Sequence, residues 1–325
     1  MLKLPISLIS KLDTIHKKIS KRIVFDKSIG VEDTVFLASV GRSGSTFLSN
    51  VINYNNRFRV MFEPFRYDVV DEAKEFIYPF YLRPDNSNLN FFLAAKKIIS
   101  GQVSSDWVNS ENARLFPQAR LIKDIRVNFF LKWIHNNFPE MKMILLLRHP
   151  CAVVHSWISA GFGSGRQARE RLLANHHFVS DMDDILLKEY LKAETDFEKL
   201  IFFWCFSYHV PFQQFNFDDI HLVFYENLIL HPKDEVRKLF QVLGYKYSEA
   251  KVLNSFSKPS STTKKTESFF GEKLQRVDQW QKDCSKEQSA RAYEIMKLFG
   301  MDKLYCPISS IPNMEVLEGL FGSRL

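Results

Sequence analysis

Arg42, Glu63, Arg148, Ser156 and Tyr225 are the side chains of this sequence best placed to do chemistry. Arg42 lies within Gly41-Arg42-Ser43-Gly44-Ser45-Thr46, a short glycine loop that leads into Phe47 and a run of helical periodicity. A glycine turn between a strand and a helix aims several backbone N–H groups into one concavity, a ready anion site. The hydroxyls of Ser43, Ser45 and Thr46 add donors, and Arg42 adds a fixed positive charge. Phosphate binding is the natural reading, and a purely structural turn is its alternative. Glu63 follows Arg42 by 21 residues. A carboxylate there can take a proton from a hydroxyl if close contact and partial desolvation raise its pKa; otherwise it pairs structurally with Arg66. Ser156 stands eight residues beyond Arg148, about two helical turns, which can bring its hydroxyl back toward the loop and supply a second phosphate site.

The elements that must position these groups alternate in type. Thr34 to Val40 is β-rich and apolar, as a buried parallel strand should be. A helix follows from Phe47 to Asn53, then a second strand ending on Glu63. Further strands are expected over Arg120–Ile125, Met143–Leu147 and His221–Phe224. Helices are expected over Leu89–Ile99, Val127–Phe138, Pro150–Ser159, Leu200–Tyr208 and Pro232–Leu243, the last closed by Gly244. Ser285 and Gln288 form a capping box for a helix that ends at Gly300. This pattern predicts an α/β fold of three layers, a central, mainly parallel sheet flanked by helices. Arg42, Glu63, Arg148 and Tyr225 each fall just past the C-terminal end of a strand, the edge where open parallel sheets bind ligands. Residues 67–117 and 161–200 lack strand alternation and read as insertions beside that edge.

Composition narrows the partners. A chain of 325 residues with 46% hydrophobic content can bury a sizeable core. A net charge of +7 favours anionic ligands, but no basic run exceeds a pair such as Lys17-Lys18 or Lys264-Lys265, so nucleic acid is not expected. The 30 phenylalanines suit a core and an acceptor cleft. Cys151, Cys205, Cys284 and Cys306 are widely spaced, which suits a reducing compartment and gives no metal framework. Cys205 and His209 share a helical face without further ligands, so no metal is expected; His176-His177 reads as surface. No stretch reaches the roughly 18 apolar residues of a membrane span, and Lys11 interrupts any signal-peptide core. A soluble, cytoplasmic protein is the expectation. Leu4, Leu8, Leu12, Ile15 and Ile19 fall on one face of an N-terminal segment over residues 1–30. That face either touches a membrane surface peripherally or packs on its own domain.

The loop does not fit a nucleoside triphosphate. Gly44 is followed by Ser45-Thr46, with no loop lysine, and no strand ends in the acidic residue that would hold Mg²⁺. A donor with two separated phosphates and no metal fits better. Here the residues resemble the sulfotransferases that use 3′-phosphoadenosine 5′-phosphosulfate (PAPS). Residues 41–48, GRSGSTFL, resemble their 5′-phosphosulfate loop in its arginine form, common in the carbohydrate and tyrosylprotein branches. Leu147 to Ser156, LRHPCAVVHS, resembles their 3′-phosphate element, and Phe224 to Pro232 resembles a later YE-x-L-x-x-x-P segment. The matches run in the family's order from residue 34 to about 245.

The resemblance implies sulfuryl transfer from PAPS to an acceptor hydroxyl, releasing PAP, by a single domain over residues 31–305 with a tail at 306–325. It implies that residues 41–47, Arg148, Ser156 and Tyr225 bind the donor, that Arg42 stabilises charge on the moving group and that Glu63 is the base. Arg66 would orient Glu63 or bind the acceptor. A late basic loop would add donor contacts through Ser261 and Lys264, with Ser260, Thr262 and Lys265 beside them. Lys123-Asp124 resembles a Lys-[DT]-Pro stretch, with Ile125 in place of proline, so Lys123 is a candidate for the acceptor side. Cys151 stands where relatives commonly carry a polar residue. The implied acceptor is a carbohydrate or glycolipid. A tyrosylprotein acceptor is the nearest variant; a P-loop kinase and a non-catalytic nucleotide or polyanion binder are the remaining alternatives.

Overall fold

The computed structural model describes residues 19–21, 23–26, 29–162, 164–256, 277–306 and 309–322. The amphipathic repeat from Leu4 to Ile15 and the late basic loop with Ser261 and Lys264 lie outside the described residues. Five strands, β1 (Thr34–Ser39), β2 (Phe58–Phe62), β3 (Ala119–Asp124), β4 (Lys142–Leu147) and β5 (His221–Phe224), form one sheet. Its order is β2-β3-β1-β4-β5, and all four pairings are parallel. The strands therefore lie within a residue or two of the ranges expected from the sequence.

Helices α1 (Ser45–Ile52), α2 (Leu89–Ile99), α3 (Leu131–Asn137) and α4 (Pro150–Ser159) precede three short helices, α5 (Gly165–Leu173), α6 (His176–Asp181) and α7 (Asp184–Lys192). Then come α8 (Asp196–Gln214), α9 (Tyr225–Leu230), α10 (Pro232–Leu243), α11 (Glu249–Ser255), α12 (Trp280–Asp283) and α13 (Lys286–Leu298). The 161–200 insertion is a run of short helices, each starting on an Asn, Ser or Asp side-chain cap. Helix α8 runs well beyond the expected Leu200–Tyr208. Thr195 and Glu198 form a reciprocal capping box at its start, and most of its residues are buried. The expected Val127–Phe138 helix opens instead as a 3₁₀ turn over Asn128–Phe130.

Strand alternation divides the core in two. Val35 and Leu37 face one side, with Leu48, Val51, Val236 and Leu239 of α1 and α10. Phe36 and Ala38 face the other, with Val153 of α4 and the aromatic row of α8. This is the period-2 geometry of a strand buried on both faces. Phe321 near the C-terminus packs on Phe212 and Phe217, continuous with that second side.

Beneath the strands, Asp26 holds two arginines. Its Oδ2 accepts from Arg59 at 2.8 Å and from Arg120 at 3.2 Å, and both guanidiniums are at most 1% exposed. Carbonyls of Ile29, Ile99, Ser100, Gly101 and Val103, with Thr34 Oγ1 and Asn109 Oδ1, take the remaining donors, so this knot ties the chain before β1 to β2, β3 and the end of α2.

The topology dictates where a ligand goes. The chain leaves β1 toward β2 on one side and leaves β4 toward β5 on the other. Adjacent parallel strands whose connections diverge open a crevice at their C-terminal ends. The segments after β1 and β4 are those carrying Arg42 and Arg148.

Candidate active site

The loop after β1 is held in an uncommon conformation. Arg42 has φ 67° and Gly44 has φ 94°. The left-handed region costs a non-glycine residue about 1–2 kcal/mol, so Arg42 must be fixed from outside. Trp157 Nε1 donates to the Gly41 carbonyl at 2.9 Å, and Arg148 donates to the Arg42 carbonyl at 3.1 Å. Gly44 is required twice over, because a Cβ there would stand 2.6 Å from the Tyr225 ring. The chain then enters α1, directing its first N–H groups at the crevice.

The two expected phosphate sites adjoin. Arg42 Nε donates to Ser156 Oγ at 2.8 Å, joining the loop to α4 across 114 residues of sequence. The Arg148 guanidinium lies 4.4 Å above the Tyr225 ring, a cation–π contact that fixes its plane. Not every expected loop residue offers its side chain. Ser43 is buried and its hydroxyl meets Tyr208 Oη at 3.4 Å, while Phe47 packs edge-on against Tyr225 and Phe256. These two can serve an anion only through their backbone N–H groups. Ser45 and Thr46 form the buried first turn of α1.

Glu63 has φ 45°, the third non-glycine residue in the left-handed region. Its N–H donates to the Lys123 carbonyl at 2.7 Å, and its own carbonyl accepts from Trp107 Nε1 at 3.3 Å. Its carboxylate is not paired with Arg66. Oε1 accepts from Lys123 Nζ at 2.6 Å and Oε2 from Arg126 at 2.7 Å. Burial works to raise the Glu63 pKa, but these two cations outweigh it and hold the carboxyl below the usual range. The expected upward shift is thus reversed. Arg66 is turned away, paired with Asp68 at 3.0 Å and lying 4.3 Å over the Trp107 ring, so it does not orient Glu63.

Arg126 performs that task and was missed. The available signal was its place, two residues past the end of β3 at the same sheet edge as Glu63 and Arg148. Asp124 completes the group. Its carboxylate is pushed up to about 6 by burial, and it accepts from the N–H groups of Phe65 at 2.8 Å and Arg126 at 2.9 Å. Lys123, expected on the acceptor side, is a direct partner of Glu63 and lies 4.3 Å from the Phe62 ring centroid.

Glu226, of the Tyr225-Glu226 pair, is buried below the Arg148 turn. It accepts from His149 N–H at 2.8 Å and Tyr305 Oη at 3.0 Å, and burial pushes it up to about 7. An acid whose pKa is raised in the fold carries its penalty at high pH and sheds it as pH falls from about 7 toward the unfolded value. Glu226→Gln keeps both partners and removes the charge. It should therefore be more stable than the wild type at pH 8 by about 1–3 kcal/mol, with the gap closing near pH 5; urea unfolding at the two pH values measures this, and a loss at pH 8 would contradict the assignment.

His176 and His177 are exposed. His209, buried on α8 with Cys205, is pushed down to about 4 by burial. Among the described residues no group of His, Cys, Asp or Glu could hold a metal ion, and no helix is long and apolar enough to cross a membrane.

A glycine–arginine loop, a second arginine with a helix hydroxyl, and a carboxylate thus share one edge of the parallel sheet in a three-layer α/β fold. A model of the sulfotransferase family matches residues 34–249, and the chain belongs to that family. No curated protein matches the sequence. Among solved structures it is similar to the "Sulfotransferase Domain from the Curacin Biosynthetic Pathway", at 16% identity and TM-score 0.47 over 82% of this chain and 96% of that one. The "Sulfotransferase Domain from the Synechococcus PCC 7002 Olefin Synthase" follows at 15% and 0.44, over 82% and 94%. Mouse sulfotransferase SULT7A1, solved with PAP, shares 14% identity at 0.43, over 90% and 89%.

Proposed function

We propose that this sulfotransferase moves a sulfuryl group from PAPS to the hydroxyl of a carbohydrate or glycolipid, with Glu63 as general base. The observation that carries the reading is the Arg42–Ser156 bond at 2.8 Å beside Arg148. It puts two guanidiniums and a helix hydroxyl at one crevice, the set a nucleotide with 5′- and 3′-phosphates needs. Arg42 and the loop amides hold the 5′ end, and Arg148 with Ser156 holds the 3′-phosphate. Tyr225 supports the Arg148 plane, while Ser261 and Lys264 are further donor ligands in this reading.

In the transfer, the sulfur–oxygen bond to the donor phosphate breaks as the acceptor oxygen bonds to sulfur. The acceptor proton passes to Glu63, and Arg42 neutralises charge growing on the departing phosphate oxygen. Lys123 and Arg126 keep Glu63 ionised and aimed. The rings of Phe62 and Trp107, which meet edge-on with centroids 5.0 Å apart beside Glu63, border the acceptor side in this reading. Arg66, at the rim on Trp107, is the candidate for direct acceptor contact. Four free cysteines suit a cytoplasmic enzyme, and its N-terminal segment would meet a membrane peripherally if the acceptor is a glycolipid.

Calorimetry with PAP against ADP tests the donor. Charged hydrogen bonds to the 3′-phosphate are worth about 1.5–3 kcal/mol, so PAP should bind roughly tenfold to a hundredfold tighter, and Arg148→Ala should erase the difference. Equal affinities in the wild type would contradict a 3′-phosphate site.

A further inference from the structure

Cys151 occupies the first turn of α4, between Arg148 and Ser156, and is buried. Cys284 ends α12 and is half-buried. Helix α12 lies on α4, where Trp280 stacks on His149 with centroids 4.1 Å apart and donates through Nε1 to Ser310 Oγ at 2.6 Å. This anchorage sets the Cys284 thiol beside that of Cys151, close enough for the two to interact. His155, one turn beyond Cys151, adjoins them; its Nε2 is buried with no hydrogen-bond partner among the described residues. The pair is asymmetric. The Cys151 contact, and after it the imidazole, draw the Cys284 thiol down toward thiolate, while Cys151 is driven up. A reachable thiol of low pKa beside a buried second thiol is the arrangement of a redox-sensitive site.

We propose that Cys284 and Cys151 are an oxidisable dithiol, which a peroxide converts to a disulfide tying the Trp280–Cys284 segment to the helix that carries Ser156. Cys284 sulfur attacks one peroxide oxygen, the O–O bond breaks, and the leaving hydroxide takes a proton to become water. Cys151 sulfur then attacks the sulfenic sulfur of Cys284, the S–S bond forms, and the second hydroxide leaves with the Cys151 proton as water. The two thiols together lose the two electrons that reduce one peroxide to two waters. Bonded sulfurs lie much closer than two thiols merely in contact. The first turn of α4 must therefore shift, and with it the spacing of Arg148 and Ser156. On the donor reading above, oxidation lowers affinity for the 3′-phosphate.

The test treats the full chain with hydrogen peroxide, alkylates residual thiols and maps peptides by mass. A Cys151–Cys284 peptide two hydrogens lighter than its parts is expected, reversed by dithiothreitol and absent in Cys284→Ser. Cys151→Ser should leave Cys284 as a sulfenic acid trapped by dimedone. Pairing of Cys151 with the fully buried Cys205, or oxidation of Cys284 no faster than of the half-buried Cys306, would overturn the assignment. Calorimetry with PAP should then show affinity lower by roughly fivefold or more in the disulfide form, restored by dithiothreitol and unresponsive in Cys284→Ser. Unchanged affinity would overturn the coupling. A reduced enzyme that ignores PAP altogether would refute the donor reading, with the mapped disulfide still judging the dithiol.

Discussion

Glu63→Gln is expected to lower kcat for sulfuryl transfer by roughly 10²–10⁴-fold, the range of a lost general base, while PAP affinity stays near the wild-type value. Gln keeps the shape and one acceptor oxygen but cannot take a proton. It also leaves Lys123, 4% exposed, and Arg126 without their shared carboxylate, so a stability loss of about 1–3 kcal/mol should accompany it. Measuring PAP binding on the same sample separates lost chemistry from lost fold. Turnover within tenfold of wild type would sink the base assignment. The pH dependence adds a second check. Glu63 is held below the usual carboxylate range by its two cations. The depressed pKa means that the ionised base is present throughout the neutral range and is lost only as pH falls through that low value. The Glu63 limb of a kcat profile should therefore lie below pH 4.5, whereas a histidine base would place it near 6.5.

Asp26→Ala should unfold the protein more readily by about 3–5 kcal/mol, the cost of leaving buried charge without its partner. Asp26 is the carboxylate shared by Arg59 and Arg120, whose side chains are 1% and 0% exposed. Backbone carbonyls, Asn109 and the Thr34 hydroxyl satisfy their other N–H groups but neutralise nothing. The loss should appear as a melting temperature lower by roughly 4–7 °C and a lower urea midpoint. A change under about 1 kcal/mol would show that the carbonyls and Asn109 suffice. The site lies at the opposite edge of the sheet, so PAP affinity of the folded fraction should be unaffected.

What could be read from residues alone follows from how local each signal is. The strands were legible because burial on both faces demands continuous apolar runs, and Gly44 and Gly244 mark turns that need a left-handed residue. The α4 helix announced itself through Pro150 at its first position. Helix α8 was misjudged in length because it is buried almost all round, so no polar stripe marks its ends; only the Thr195–Glu198 capping box did. At the site, Arg42, Arg148 and Ser156 carried recognisable spacing. Arg126 did not, and its role depends on β3 lying beside β2, a pairing that brings residues 63 and 126 together. The Glu63–Arg66 alternative failed for a related reason. Proximity in sequence favoured it, but the left-handed backbone at Glu63 sends the two side chains to different partners, Lys123 with Arg126 and Asp68 with Trp107.

The strand order has a further consequence, for synthesis. Neither β1 nor β2 touches the other; both flank β3, whose residues leave the ribosome only after Asp124 is added. At about 5–20 residues per second, two apolar strands must wait several seconds for their shared neighbour. The glycine–arginine loop and Glu63 ride on those two waiting strands, so a nascent chain shorter than this owns Arg42 and Glu63 but no geometry that relates them. Chaperone dependence during that interval, measurable on stalled chains that end before and after β3, should fall once β3 has emerged.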